Sequence, residues 1–176
     1  MTILLVIIYI WSGYDDKRFG DTGVTALAEA LKTNSSLTSL NVTFTQIGDT
    51  GVDALVKALE MNSALTSLNL SFNKISNASA AKLVKALEDN DILTSLNLSG
   101  NTQIGEAGAT ALANALEVNS SLTSLDLSNN GIGDTGATAL AKALEANSAL
   151  TSLNLSHNQI NQDIQDQYSS SQVIQF

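Results

Sequence analysis

Apolar and polar positions alternate in a seven-residue phrase that the chain rewrites five times. It reads LTSLNVT at 37–43, LTSLNLS at 65–71 and 93–99, LTSLDLS at 122–128 and LTSLNLS at 150–156. Counting its first leucine as position 0, positions 0, 3 and 5 are apolar, and the 3-to-5 alternation predicts a strand with one buried face. After the phrase the period changes. In GDTGATALAKALEANSAL at 133–150, Ala137, Leu140, Ala141 and Leu144 fall at i, i+3, i+4 and i+7, one apolar stripe of a helix. Asp134 stands where a helix N-cap is expected. Asn147 stands where a left-handed exit from the helix costs little. Strand and helix therefore alternate along the chain.

The steps between successive phrases are 28, 28, 29 and 28 residues, with the extra residue in SGNTQIG at 99–105. A fixed period between 20 and 50 residues predicts a solenoid, in which each unit is stable only against its neighbours. In one unit the full pattern is Leu122, Leu125, Leu127, Asn130 and Ile132. This resembles the leucine-rich repeat, L-x-x-L-x-L-x-x-N. The unit length and the phrase IGDTGATALAKAL look like the ribonuclease-inhibitor-like subfamily, a subtype also found in Ran GTPase-activating proteins and in the sensor ends of nucleotide-binding immune receptors. The resemblance runs from about Phe19 to Ile160. It implies an α/β fold, a right-handed α/β solenoid or leucine-rich repeat horseshoe with parallel strands on the concave face and helices on the convex face. Asn73, Asn101, Asn130 and Asn158, at position 8, are expected to turn inward as a ladder satisfying loop backbone. Thr45 takes that place in the first unit and should weaken the ladder there.

Three segments follow: 1–19, a hydrophobic first strand and loop of a degenerate repeat; 20–160, the repeat domain; and 161–176, a polar cap or tail. The start, MTILLVIIYIWSG, is too short an apolar run to span a bilayer and lacks the basic flank of a signal peptide. It reads as a buried strand. Counting back 28 residues from Leu37 lands on Tyr9, whereas a shift of four puts Leu5, Ile8 and Ile10 at the core positions, the register preferred here. An open parallel edge of this kind invites another chain, so Leu5, Ile8, Ile10 and Trp11 are candidates for self-association as a homodimer. Near the other end a short helix over 161–168 is expected, followed by a flexible Ser169-Ser170-Ser171.

Composition narrows the chemistry. The net charge is −9 and the sequence pI near 4.3, which opposes binding to a phosphate backbone, so no nucleic acid is expected as a partner. No membrane partner is expected either. Without cysteine there is no thiolate nucleophile and no Cys-type zinc site. The single histidine, His157, has no triad around it in the sequence, and the GDTG segments lack the Gly-Lys-Ser/Thr of a phosphate loop. Carboxylates gather at helix starts (Asp21, Asp49, Glu106, Asp134), where capping explains them. No catalytic residue, metal or cofactor is expected. Asn-x-Ser/Thr recurs, mostly as a by-product of the strand wording, and sugars there would crowd the inner face. That favours a cytoplasmic setting.

Positions 2, 4 and 6 of the strands should face the concave side, a carpet of Ser and Asn in which Asp126 alone breaks the series. Uniform polar rows of this kind point either to recent duplication or to ladders that bond to one another and to water. Position 7 is not uniform: Phe44, Phe72, Gly100, Asn129 and His157. The candidate protein-binding residues are Phe44 and Phe72 with Asn41, Asn69, Asn97, Asp126, Asn129, Asn154 and His157. The function expected is a non-enzymatic protein-protein interaction module or scaffold. Two alternatives stay open: a GTPase-activating regulator, implied by the resemblance, and a self-associating structural repeat protein.

Overall fold

The computed structural model describes residues 4–7 and 19–176. The leucine phrases become short strands and the alanine-rich stretches become helices. In chain order these are β1 (Leu4–Ile7), α1 (Gly20–Leu31), β2 (Leu37–Asn41), α2 (Asp49–Leu59), β3 (Ser67–Asn69), α3 (Asn77–Asp89), β4 (Ser95–Asn97), α4 (Gly105–Leu116), β5 (Ser124–Asp126), α5 (Asp134–Ala146), β6 (Ser152–Asn154), α6 (Gln162–Gln167) and β7 (Ile174–Gln175). All strands are parallel and lie in sequence order, β1 to β7, in one sheet. Each helix from α1 to α6 packs on the next. This is the α/β solenoid the period predicts.

Identical wording gives identical register. Leu40, Leu68, Leu96, Leu125 and Leu153 pair side by side across the sheet and are buried, as are Ile47, Ile75, Ile104, Ile132 and Ile160 behind them. The helix stripe is buried at Ala137, Leu140 and Ala141, while Leu144 is only partly buried and Ala143 lies inside.

The preferred register of the first strand needs correction. Leu4 pairs with Leu37, a slip follows, and Leu5 pairs with Ser39 and Val6 with Leu40. Leu5 is thus not in the row of Leu37, and neither counted register holds. Four successive apolar residues, LLVI, offer no alternation by which the pleat could select a register. Ile8, Ile10 and Trp11 lie outside the described residues. The helix expected over 161–168 is α6, and beyond it Ile174 joins the sheet beside Leu153.

Candidate functional site: the open sheet face and the strand-exit edge

Some polar letters of the phrase tie one unit to the next, and others close the strand of their own unit. The position-1 threonines form a ladder in which Thr66 Oγ1 donates to Thr38 O (3.0 Å), Thr94 to Thr66 O (3.1 Å), Thr123 to Thr94 O (3.0 Å) and Thr151 to Thr123 O (3.1 Å). At position 4 an Oδ1 accepts the backbone N–H of the residue two further on: Asn41 from Thr43, Asn69 from Ser71, Asn97 from Ser99, Asp126 from Ser128 and Asn154 from Ser156, at 2.9–3.0 Å. This is an Asx turn, which ends each strand. Because only an acceptor is required, Asp126 serves as well as asparagine. Within the rows at positions 2, 4 and 6 the bonds run mostly inside one unit, and across units Thr43 Oγ1 reaches Asn69 Oδ1 (3.0 Å) and Ser71 Oγ (2.9 Å). On the open face the hydroxyls of the position-2 serines and the Nδ2 groups of position 4 make no hydrogen bond among the described residues, and they remain for a partner or water.

Two asparagine ladders lock the units. At position 8, Asn101 Nδ2 donates to Leu70 O (3.1 Å) and Leu98 O (2.9 Å), while its Oδ1 accepts from Ile75 N (3.2 Å). Asn73 and Asn158 repeat the arrangement, whereas Asn130, in the neighbour of the longer unit, donates to Leu98 O and accepts from Asn101 N. Thr45, as expected, does less: its hydroxyl reaches Val42 O in its own unit and Asn73 Oδ1 ahead (2.6 and 3.2 Å).

The second ladder corrects the helix-exit reading. Asn147 is extended, φ −88° and ψ 114°, not left-handed. Its Nδ2 donates to Leu116 O (2.6 Å) and Asn119 O (2.8 Å) of the preceding unit, and its Oδ1 accepts from Leu150 N (2.8 Å). Asn62 and Asn119 do the same, and Asn90 donates to one carbonyl, Leu59 O.

Asp134 is likewise not the cap of its own helix. Gly133 occupies that position, and the Asp134 carboxylate accepts from Asn161 N (2.8 Å) and Asn161 Nδ2 (2.5 Å). Asp21 accepts from Gly48 N (2.7 Å) and Gly51 N (3.0 Å) at the start of α2. These carboxylates cap the neighbouring helix.

Asp49 shows the electrostatic consequence. The hydroxyls of Ser79 (2.6 Å) and Ser76 (2.8 Å) donate to its Oδ1 and hold its carboxyl below the ordinary carboxylate value. A lowered folded pKa stabilises the fold above the unfolded value near 4, and that contribution is lost as the pH falls through the folded value. In Asp49→Asn, stability followed by urea melts between pH 5 and 3 should therefore fall less steeply with acid than in the parent.

The backbone at position 7 is what the sequence did not disclose. Phe44 (φ 58°), Phe72 (φ 52°), Asn129 (φ 54°), His157 (φ 59°) and Gly100 (φ 71°) are all left-handed. Gly and Asn tolerate this conformation; phenylalanine does so at a cost. Gly100 and Asn129, two such tolerant residues in one column, were the available signal. The turn throws the side chains outward. Phe44 and Phe72 stack with centroids 4.4 Å apart and planes 12° from parallel, while 61% and 43% exposed. A Cβ on Gly100 would lie 2.6 Å from the Phe72 ring, so glycine lets that ring lie flat over the next unit. The candidate residues thus form two rows: Asn41, Asn69, Asn97, Asp126 and Asn154 on the open face, and Phe44, Phe72, Asn129 and His157 along the strand-exit edge.

Among the described residues no group of three or more His, Asp or Glu is placed to hold a metal ion, and no helix is long and apolar enough to cross a membrane.

A one-strand, one-helix unit, stacked in parallel and pinned by inward asparagines, defines the class: a repeat solenoid of alternating strands and helices. The chain belongs to the leucine-rich repeat family. A sequence profile described as Leucine Rich repeat matches residues 33–56, 62–84, 87–113, 118–141 and 146–163. No curated protein is similar enough in sequence to count as a relative. Solved structures with the same fold include leiomodin-1 actin-binding site 2 (23% identity, 72% of this chain and 72% of that one, TM-score 0.62). The tropomodulin C-terminal domain of Caenorhabditis elegans is similar at 19% identity (72% and 75% covered, TM-score 0.61). A chain of the yeast Rad7–Elc1 complex aligns over 82% of this chain and 42% of its own length, at 16% identity and TM-score 0.56.

Proposed function

We propose that this chain is a non-enzymatic, cytoplasmic protein-interaction module of the ribonuclease-inhibitor-like type. Its partner sits on the strand-exit edge with Phe44 and Phe72 as anchors, bordered by the polar groups of the open face. The observation that carries this reading is the stacked, exposed pair of phenylalanines in left-handed backbone. Each residue sits in a conformation that asparagine or glycine would adopt at lower cost, by about 1 kcal/mol. Exposed aromatic rings are the side chains that most often anchor protein partners. The net charge of −9 favours a partner with a basic rim. One fold relative is an actin-binding site, so a stack of this size serves a protein partner there; at 23% identity that likeness carries the fold and leaves the partner open.

The test uses Phe44→Asn with Phe72→Asn, because Asn129 already occupies the same position at the same φ. Parent and variant are used as bait side by side, and captured proteins are identified by mass spectrometry. A specific partner should disappear from the variant, while the melting temperature shifts little: the lost stack, about 1 kcal/mol, is offset by relieved strain. Unchanged capture would place the contact elsewhere.

Self-association through the β1 edge is a second reading, favoured by one observation: β1 ends the sheet, with no strand on its outer side among the described residues. Light scattering over a dilution series decides it, and a monomer throughout rejects it.

A further inference from the structure

The segment after α6 rebuilds the strand of a repeat without its wording. Ile174 pairs with Leu153 and Gln175 with Asn154, which puts Ile174 in the row of buried leucines. Leu153 N donates to Val173 O (2.8 Å) and Leu155 N to Gln175 O (2.6 Å). Val173, Ile174 and Phe176 are half-buried against the core.

What holds this strand is thin. Leu153 and Ile174 are 21 residues apart, whereas Leu125 and Leu153 are 28 apart. The missing length comes largely from the helix, since α6 has six residues and α5 thirteen. By the same register Tyr168 stands where the exit asparagine should be. Among the described residues nothing donates to Leu144 O or Asn147 O as Asn147 does to Leu116 O and Asn119 O. Among the described residues the link back to α6 is made of local bonds: Ser169 Oγ and N to Asp166 O, Ser171 N to Tyr168 O, and Val173 N and Ile174 N to Ser171 Oγ.

We propose that the β6 edge is a strand-acceptor groove, and that the segment Val173–Phe176 is its exchangeable occupant, which a second copy of the chain can supply in place of its own. The edge cannot stay bare, because Leu153 and Leu155 are buried beneath it and their N–H groups need acceptors. The segment that fits it carries hydrophobic residues at alternate positions in parallel register, and every copy brings one on a serine hinge. Exchange of an identical element across such a hinge is a low-cost route to a dimer.

The experiment uses the full chain with Ile174→Asp and Phe176→Asp, which undocks the resident strand, and a fluorescent peptide of residues 169–176, SSSQVIQF. Anisotropy should show saturable binding to the variant, at least about tenfold tighter than to the parent, where the tethered strand competes at high effective concentration. Equal binding to both, or no binding to a variant whose circular dichroism shows it folded, overturns the proposal. A second measurement needs no variant. In the parent, the amides of Leu153 and Leu155 should exchange with deuterium at least about tenfold faster than those of Leu125 and Leu127. Equal protection would mean a strand that does not leave, and would likewise overturn it.

Discussion

Replacing Asn101 by alanine should cost about 3–5 kcal/mol, a large part of the 5–15 kcal/mol by which domains are stable. The residue is 0% exposed. Its amide donates to the carbonyls of Leu70 and Leu98, and its Oδ1 is an acceptor for Ile75 N. Alanine removes these at once: Ile75 N is left without a partner in a place water does not reach, at about 1–3 kcal/mol, while Leu70 O and Leu98 O each lose one of two donors and keep Asn73 and Asn130, at about 1 kcal/mol apiece. The cut also falls in the middle of the stack. Because each unit contacts only its neighbours, denaturant unfolding should lose its single cooperative step, the halves on either side melting separately. Asn158→Ala, at a partly buried end position, should cost about half as much. A midpoint unchanged in Asn101→Ala would mean that the ladder is ornamental.

The second large effect is expected from Gly51→Val, at about 3 kcal/mol, combining overpacking with the loss of a cap. A Cβ at that position would lie 2.5 Å from Val24 Cγ1, 2.7 Å from Asp21 Oδ1 and 2.8 Å from Ile47 Cγ2. The helices of adjacent units approach here, and the same Asp21 oxygen receives Gly48 N and Gly51 N. Any side chain must push α1 from α2, and an apolar one also displaces the carboxylate without offering it a donor. In α3 the equivalent place holds Ser79, 1% exposed, whose hydroxyl donates to Asp49. Gly51→Ser should therefore lose much less than Gly51→Val. Thermal melts of the two variants beside the parent give the comparison, and equal losses would remove the reason offered for Ser79.

How much of this was legible depended on whether a residue's partner lay within its own unit. Leu122, Leu125 and Leu127 announce a strand by their spacing alone, and Ala137 and Leu140 a helix, because burial is a property of periodicity. Asp134 and Asn147 were misread for one shared reason. Each was matched to the local motif its residue type favours, a cap on its own helix and a left-handed exit, whereas Asn161 lies 27 residues ahead and Leu116 31 residues behind. LLVI left β1 unplaced because nothing in it alternates. Ile174-Gln175-Phe176 alternates correctly but follows a shortened helix, so counting by 28 passes over it. The binding candidates Phe44 and Phe72 were visible as odd residues in a column, though their left-handed backbone was not.

The carboxylates that cap the following helix give the stack a direction in time. Asp21 leaves the ribosome 27 residues ahead of Gly48 and 30 ahead of Gly51, so an acceptor is already waiting when the next helix begins to form. Each finished coil is then a template on which its successor nucleates, and synthesis from the N-terminus runs the way growth is easiest. A construction of this sort lengthens or shortens by whole coils during duplication without a new folding problem at each event.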